Sequence, residues 1–499
     1  MKRVLFVLFV LALTVLPITA QDSAPTLVAH ENQTFGLSHL VPDGWMEAGP
    51  GIFARAASAQ DATLLGVQAA PLPKDQLLNV LVQQIGLDEA PEPIGQITTE
   101  MFTWDEYRAT VEAQGLSIGV SWALAENDGQ SIVVLLQSLE EEQDALREAV
   151  YLPVIDSVMP LVEEVVEVPY TVEDVTFSHD DITLAGTLTL PEGEGQHPAV
   201  ILITGSGPQN RDEEILGFRI FQQIADHLTR NGIAVLRYDD RGVGESSGEY
   251  DTSTAADFAV DASAAVDYLL TREDINPDEI GLLGHSEGGI VAPMTAVMND
   301  NVGFVILMAG PAASGVDVLL LQQEMVLAGD ETLDPALVEA LRSTQRALLE
   351  ATASGDEAAI EAAAIAQYEA IPEQIREELE LGTQEEFVTK VLRDLTAPAM
   401  QFIAAYEPAD NIRALDIPVL AVYGSLDVQV VADQNAPVME DLLADNADGT
   451  VVIIDGANHL FQAAETGGLD EYATLDKSFT PEFLDTITNW LLERVTVAQ

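Results

Sequence analysis

From about residue 170 onward the chain alternates short apolar runs with longer amphipathic runs, and this alternation limits the possible folds more than any other feature. Short apolar runs are typical of strands buried on both faces, whereas amphipathic runs with helical spacing are typical of surface helices. The pattern predicts hairpin strands at 172–178 and 182–190, further strands at 199–204, 234–238, 280–283, 304–308, 418–423 and 451–454, and helices at 218–230, 255–271, 289–297 and 481–495. Repeated β-α units predict a mainly parallel sheet covered by helices on both faces.

One long stretch interrupts this alternation. Between 315 and 409, Ala, Glu, Leu and Gln dominate with helical spacing and almost no strand pattern. Because the stretch falls between two predicted strands, we expect an all-helical cap over the edge of the sheet that carries the active site. The alternative is a helical decoration away from that edge.

The preceding part of the chain, 22–165, has a different pattern. Strand-like alternation occurs at 62–69, 108–113, 116–123 and 130–138, and helical patterns occur at 74–85 and 140–159. The run 35–45 reads as a strand that ends in Pro42-Asp43-Gly44-Trp45. This order predicts a small α+β domain with an antiparallel sheet. It resembles the PsbP-like domains, in which a strand also ends in Pro-x-Gly-Trp. Residues 163–169 are the expected linker to a second domain at 166–499.

The N-terminus has the pattern of an export signal. Met1-Lys2-Arg3 is positively charged, 4–19 is almost entirely apolar, and Ala20 offers a small residue for cleavage. We therefore expect a signal peptide at 1–20 and a secreted or periplasmic protein, with a retained signal anchor as the alternative.

Composition excludes several classes of function. With 83 acidic and 20 basic residues, the formal net charge is −63, which repels phosphate backbones and anionic headgroups and excludes nucleic-acid binding. The absence of cysteine excludes disulfides, zinc-thiolate sites and a cysteine nucleophile. No cofactor and no metal is expected, and the sequence does not indicate an oligomeric state.

The strongest chemical motif is Gly284-His285-Ser286-Glu287-Gly288, which follows a predicted strand and precedes a predicted helix. A sharp turn between strand and helix exposes the serine hydroxyl at the N-terminus of the helix, where the helix dipole favours negative charge. The motif resembles the nucleophile elbow of the α/β-hydrolase superfamily. It predicts Ser286 as a catalytic nucleophile, and a packing role for the side chain of His285.

A serine nucleophile needs a base and a group that orients the base. His459 is the one histidine after Ser286, and it follows the last predicted strand. Asp427 follows the penultimate strand, as expected for the acid in the order Ser, acid, His. Asp455 is the competing acid, although its place at a strand end favours a turn. Activity should fall in acid, because the base must be neutral to accept a proton.

An oxyanion hole needs two N–H donors. We expect one from the backbone of Glu287 and the other from the loop Gly205-Ser206-Gly207-Pro208, at Ser206. Many relatives have His where this chain has Thr204, which leaves the hydrogen bonding of that loop open. A further motif at 237–246, with two acids beside two arginines, favours an ion-paired structural loop over a substrate site.

These motifs together resemble the α/β-hydrolase superfamily over about 168–499. The loop at 205–208 with Arg211-Asp212, and Asn458-His459-Leu460-Phe461-Gln462, are similar to its serine aminopeptidase-like and carboxylesterase branch. The sequence predicts a serine hydrolase that cleaves esters of short or medium acyl chains through an acyl-enzyme, since a cap encloses a limited apolar pocket. Alternatives are an aminopeptidase or amidase acting on peptides, and a non-catalytic binding or surface protein.

Overall fold

The computed structural model describes residues 25–32, 35–55, 61–70, 72–85, 87, 90–113, 116–127, 130–161, 168–193, 195–329, 334–379 and 381–497. The chain divides into two compact units, Met1–Val166 and Glu167–Gln499. The expected export signal at 1–20 and residues 163–167 of the expected linker lie outside the described residues. Among the helices that are described, none is long and apolar enough to cross a membrane.

The N-terminal unit is built on two antiparallel sheets. Its strands are β1 (Leu27–Asn32), β2 (Leu37–Pro42), β3 (Met46–Gly49), β4 (Ile52–Ala54), β5 (Leu64–Ala70), β6 (Gly95–Thr98), β7 (Thr103–Ala113), β8 (Leu116–Asn127), β9 (Gln130–Leu139) and β10 (Met159–Pro160), and its helices are α1 (Lys74–Ile85), α2 (Glu140–Leu146) and α3 (Leu152–Ser157). One sheet has the order β3-β4-β5-β9-β8-β7-β6, and the other has the order β1-β2-β10.

Helices cover both faces of the larger sheet. On β9, Val134 belongs to the apolar cluster that contains Val154 of α3. Its neighbour Val133 belongs to the cluster that contains Leu77 of α1. Successive side chains of a strand point to opposite faces, so an almost continuous apolar strand is what two helical layers require.

The helical pattern at 140–159 is divided in the structure. α2 is followed by a π-helical turn at Arg147–Tyr151, and α3 ends at Ser157. Pro153, near the start of α3, explains the wide turn, because proline cannot donate an amide hydrogen and crowds the carbonyl one turn earlier. Met159–Pro160 then pairs with β2 instead of continuing the helix.

The second unit contains an eight-stranded mixed sheet. The strands of that sheet are β11 (Tyr170–His179), β12 (Ile182–Pro191), β13 (His197–Ile203), β16 (Ala234–Tyr238), β17 (Ile275–His285), β18 (Phe304–Met308), β19 (Val419–Gly424) and β20 (Gly449–Ile454), and a separate two-stranded sheet consists of β14 (Glu214–Ile215) and β15 (Phe218–Arg219). The order is β11-β12-β16-β13-β17-β18-β19-β20, antiparallel from β11 to β16 and parallel from β16 to β20. The strand order reverses at β13, which lies between β16 and β17. Ligands of open α/β sheets bind at the carboxyl edge beside such a reversal.

The helices of the second unit are α4 (Ile220–Arg230), α5 (Ala255–Leu270), α6 (Gly288–Met298), α7 (Gly315–Gly329), α8 (Pro335–Ser354), α9 (Glu357–Ala370), α10 (Glu373–Glu378), α11 (Gln384–Leu395), α12 (Pro398–Ala405), α13 (Ala409–Ile412), α14 (Ala432–Leu442) and α15 (Pro481–Leu492). α4 packs with α15, and α5 packs with α6. Every residue of β13, β16, β18 and β19 is buried, which accounts for their apolar sequences.

Several predicted elements begin or end at other residues in the structure, and two of them have a clear cause. The helix expected at 218–230 begins only at Ile220, because Phe218–Arg219 pairs with Glu214–Ile215 as a short antiparallel ladder. The strand expected at 280–283 starts earlier, at Ile275, which pairs with His197 of β13.

Helices α7 to α12 form the expected insertion between β18 and β19. Among the described residues of 315–409 there is no strand. At the base of the insertion, the amide of Gly315 donates to the carbonyl oxygen of Tyr406 at 2.9 Å. The cap therefore leaves the sheet and returns to it at one place.

Candidate active site

Ser286 occupies a sharp turn between β17 and α6. Its φ of +53° is in the left-handed region, which is strained for a residue with a side chain. The turn is held by the Ser286 amide, which donates to the Met308 carbonyl at 2.9 Å, and by the Gly289 amide, which donates to the Ser286 carbonyl at 2.8 Å. Ser286 is partly exposed although its neighbours His285 and Glu287 are buried. The strained turn therefore leaves Ser286 partly accessible at the carboxyl edge of the sheet, between two buried neighbours.

The two glycines that flank the serine are required by close backbone approach. A Cβ on Gly284 would lie 2.0 Å from the carbonyl oxygen of Gly288. A Cβ on Gly288 would lie 2.2 Å from the carbonyl oxygen of Ile203, at the end of β13. The turn therefore packs directly against the strand that leads into the predicted oxyanion loop.

Gly288→Ala is expected to destabilise the second unit by about 3 kcal/mol, because the added methyl group meets rigid backbone. Gly95→Ala is the matched control, because a Cβ at Gly95 meets nothing within 4 Å. Thermal and urea unfolding of both variants beside the wild type measures the effect. Equal stabilities of the two variants would contradict this reading of the turn.

Asp427 and His459 lie side by side after β19 and β20. Nδ1 of His459 is 2.8 Å from Oδ2 of Asp427, and both side chains are buried. The other carboxylate oxygen, Oδ1, accepts the amides of Gln429 at 2.7 Å and Val430 at 2.9 Å. The competing acid, Asp455, is exposed and instead accepts a hydrogen bond from Ser425 at 3.3 Å. The geometry thus pairs His459 with Asp427 and leaves Nε2 of His459 for another partner.

The elbow and the His459 loop meet through His285. Nε2 of His285 donates to the carbonyl oxygen of His459 at 3.1 Å, and the two rings are 4.8 Å apart. No hydrogen bond between the Ser286 hydroxyl and His459 occurs in the part of the chain that the structure describes. Such bonds are often long without substrate and shorten in the reacting complex.

The loop after β13 offers one unused backbone donor. The Gly205 amide donates to Oε1 of Glu213 at 2.7 Å, and the Gly207 amide donates to the hydroxyl of Tyr250 at 2.8 Å. Between them, the amide of Ser206 has no acceptor among the described residues, and Ser206 is exposed. The Glu287 amide lies just before the first residue of α6, where helix N–H groups lack intrahelical partners. These are the two predicted oxyanion donors.

Glu213 and Tyr250 are two residues of the site that the sequence did not reveal. Both lie in loops and reach the oxyanion loop only through the fold. The expected packing role of His285 was incomplete, since its buried ring also lies 2.8 Å from Oε1 of Glu213. The one feature of the sequence that could have pointed to Glu213 is the charged loop at 210–213. This feature is weak, because acidic residues are common throughout the chain.

The motif at 237–246 forms an ion-paired loop. Arg241 donates to Asp261 at 2.7 and 2.8 Å, and Asp239 accepts from Arg211 at 2.8 Å. Thr204 stands where many relatives have His, and its hydroxyl donates to Asp240 at 2.6 Å. The loop braces the strand ends that carry the oxyanion loop.

A small cavity lies behind the elbow, between Glu287 and Asp240. It offers about 10 Å³ to the centre of a water molecule, close to the minimum that one water needs. Oε1 of Glu287 is buried and has no partner among the described residues. Burial raises the pKa of Glu287 to about 7. Burial also raises the pKa of Asp240 to about 8, despite the hydrogen bond from Thr204. At neutral pH, Asp240 is therefore largely protonated and Glu287 is about half protonated.

The raised pKa of Asp240 predicts a pH-dependent stability. Its folded pKa of about 8 exceeds the ordinary value of 3.8, so between these values the folded chain holds a proton that the unfolded chain has lost. Stability from this group is full below the lower value and declines as pH rises towards the upper one. Asn mimics the protonated acid, so Asp240→Asn should gain stability over the wild type by at most about 1.4 kcal/mol per pH unit across this range. Urea unfolding at a series of pH values measures the difference, and a difference independent of pH would contradict it.

The cap contains a groove between α7 and α8. Its volume is about 400 Å³, and its lining includes Leu320, Leu321, Leu327, Arg342, Arg346 and Gln434. Nε2 of Gln434, in α14, donates to the carbonyl oxygen of Asp317 in α7 at 3.0 Å. Because α14 follows β19, this contact places α7 at the carboxyl edge of the sheet. Among the described residues, no group of three or more acidic or histidine side chains is arranged to hold a metal ion.

Comparison with known proteins gives matches that centre on the second unit. The model of the alpha/beta hydrolase family matches residues 200–467, more than half of the chain. Esterase EstD of Thermotoga maritima is 28% identical over 319 residues, which are 62% of this chain and 66% of the esterase. A putative hydrolase of Bacillus subtilis, YtaP, is 30% identical over 125 residues, which are 22% of this chain and 42% of that protein. The alignments thus span less than two thirds of the length of these relatives.

Among solved structures, the alpha/beta hydrolase GrgF from Penicillium sp. sh18 covers 65% of this chain and 98% of its own, with 19% identity and a TM-score of 0.39. The esterase Pf2001 of Pyrococcus furiosus covers 65% of this chain and 93% of its own, with 14% identity and a TM-score of 0.38. The family match begins at residue 200, so the likeness of the N-terminal unit to PsbP-like domains stays a prediction.

Proposed function

The chain belongs to the alpha/beta hydrolase family, and on that basis we propose that it is a serine hydrolase that cleaves carboxylic esters through an acyl-enzyme on Ser286. The observation that carries the proposal is the strained turn at Ser286 beside a buried His459–Asp427 pair. A relative that aligns with 62% of this chain is named an esterase, which supports the choice of ester chemistry.

Acylation begins with the hydroxyl of Ser286. As its oxygen attacks the ester carbonyl, Nε2 of His459 accepts the hydroxyl proton and later delivers it to the leaving alcohol. Asp427 holds the proton of His459 on Nδ1 and stabilises the imidazolium that forms. Since Oδ1 of Asp427 is fixed by two backbone amides, Oδ2 has one orientation and sets the plane of the imidazole.

The negative charge of the tetrahedral intermediate falls on the former carbonyl oxygen. The amides of Ser206 and Glu287 are the proposed donors to this oxygen, and the helix dipole of α6 adds a favourable field. In the second half of the reaction, His459 takes a proton from water, which attacks the acyl group, and the imidazolium then returns that proton to the Ser286 oxygen as the ester bond to Ser286 breaks. The products are a carboxylic acid and an alcohol.

The groove in the cap favours an ester over a peptide substrate. Its lining includes three leucines, which offer apolar contacts to a short or medium acyl chain, beside seven polar or charged residues. Arg342 is paired with Glu324, and Arg346 is paired with Asp317, so neither arginine offers an unpaired charge to the carboxyl terminus of a peptide.

A panel of p-nitrophenyl esters from acetate to palmitate, beside aminoacyl p-nitroanilides, tests the proposal. We expect kcat/KM to be highest for butyrate to octanoate and to exceed that for every anilide. Higher turnover of an anilide would identify a peptidase or amidase. No turnover of either class, together with no labelling of Ser286 by a fluorophosphonate, would favour a binding protein.

A further inference from the structure

His285 and Glu213 form a buried pair beneath the nucleophile. Nδ1 of His285 lies 2.8 Å from Oε1 of Glu213, and the residues are 2% and 1% exposed. The proposed chemistry uses neither side chain. Both belong to segments that meet only in the folded unit, since Glu213 precedes β14 and His285 ends β17.

One hydrogen bond of this pair fixes which nitrogen of His285 carries a proton. A carbonyl oxygen can only accept, so Nε2 of His285 must carry the proton that it donates to the His459 carbonyl at 3.1 Å. Burial disfavours a charged imidazole, but the carboxylate of Glu213 and the hydrogen bonds to both partners outweigh burial and raise the pKa of His285. Nε2 is therefore a donor, and both the raised pKa of His285 and its short contact with Oε1 of Glu213 favour the charged form of the ring.

Stability alone does not explain this arrangement. Oε1 of Glu213 accepts two hydrogen bonds, whereas Oε2 is buried without a partner among the described residues. Glu213 also has a φ of +45°, in the strained left-handed region. A buried carboxyl oxygen without a partner, on a strained backbone, costs free energy, and such costs are concentrated at functional sites.

The pair joins two loops of the proposed machinery. Oε1 of Glu213 holds the Gly205 amide at 2.7 Å, immediately before the proposed donor Ser206. His285 holds the backbone carbonyl of His459. A Cβ on Gly205 would lie 2.9 Å from Oε1 of Glu213 and 3.3 Å from Cβ of Ser286, so glycine lets all three segments converge.

We infer that Glu213 and His285 are positioning residues. They hold the oxyanion loop and the loop that carries His459 at fixed positions on either side of Ser286. The inference rests on the proposed function, because it assigns these residues a task in the same reaction. They touch neither the ester nor the reacting atoms. Their effect is to keep the Ser206 amide and the imidazole of His459 where the transition state requires them.

Glu213→Ala and Glu213→Gln test the inference. Alanine removes the acceptor of the Gly205 amide and the partner of His285, whereas glutamine keeps an oxygen acceptor and loses the charge. Loosening one oxyanion donor lowers kcat by about 10²-fold, and we expect this loss for Glu213→Ala with KM unchanged. Glu213→Gln should give an intermediate kcat. If the alanine variant does not fold, a reduced kcat of the glutamine variant at unchanged KM carries the test.

The measurement is kcat for p-nitrophenyl butyrate per serine labelled by a fluorophosphonate, so that misfolded protein is not counted. His227→Asn is the matched control, because His227 is also a hydrogen-bonded histidine of this unit, and its partner Thr488 lies on α15. A wild-type kcat per labelled serine in either folded Glu213 variant would overturn the inference and leave the proposed function intact. A wild type that hydrolyses no ester and is not labelled at Ser286 would overturn the proposed function itself.

Discussion

Ser286→Ala is expected to lower kcat for ester hydrolysis by about 10⁶-fold, because it removes the only atom of the site that forms a bond to the acyl group. The proposed oxyanion donors are backbone amides and survive the substitution, so a low residual rate above that in water should remain. Alanine has the same Cβ as serine, and the left-handed turn at φ +53° should persist. The variant is therefore expected to fold with a stability close to that of the wild type.

Hydrolysis of p-nitrophenyl butyrate and mass spectrometry after fluorophosphonate treatment measure this effect. Ser178→Ala is the matched control, since Ser178 is an exposed serine of β11 whose hydroxyl lies 3.1 Å from that of Thr183. It should hydrolyse the ester and take up the label as the wild type does. Ester turnover that survives in purified Ser286→Ala, or a label found on another residue, would contradict the assignment of the nucleophile.

Asp427→Asn is expected to lower kcat by about 10⁴-fold. In the wild type, Oδ1 accepts the amides of Gln429 and Val430, and Oδ2 faces Nδ1 of His459 at 2.8 Å. An asparagine keeps its single oxygen on the two amide donors, which forces its NH₂ group towards His459. The imidazole must then accept at Nδ1 and carry its proton on Nε2. In that tautomer it cannot take the proton of Ser286.

The matched control for this variant is Asp455→Asn. Asp455 is the other acid near His459 in sequence, but it is exposed and contacts Ser425. Its substitution should leave kcat and KM at wild-type values. A large loss in Asp455→Asn with activity retained in Asp427→Asn would reverse the assignment of the acid.

The sheet could be predicted from sequence because its strands are buried on both faces. β16 and β18 occupy the ranges expected from their apolar runs, and the family match confirms the predicted α/β-hydrolase fold. Element ends were predicted less well, because they depend on distant partners. β17 starts early to pair Ile275 with His197, and Phe218–Arg219 joins a ladder that no periodicity shows.

Some residues of the candidate site could be predicted from the sequence, and others could not. Ser286, Asp427 and His459 could be named from sequence because each follows a strand, and parallel strands bring their carboxyl ends together. Glu213 could not, because it is one of 83 acids and meets His285 only through the arrangement of β14 and β17. Ser206 could be named as a donor from the sequence, but the lack of an acceptor for its amide among the described residues depends on where the neighbouring amides bind.

The hydrogen bond between Gly315 and Tyr406 bears on how the cap can change during evolution. Because the two ends of the cap meet at 2.9 Å, helices α7 to α12 form a side branch, and we expect its removal to leave the spacing of β18 and β19 unchanged. Lengthening a loop that already closes costs little additional entropy. Evolution can thus exchange or remodel the branch, and with it the range of compounds accepted, while the inherited reaction centre remains unaltered. A chimera that grafts a cap from another hydrolase at these two residues would use the same junction.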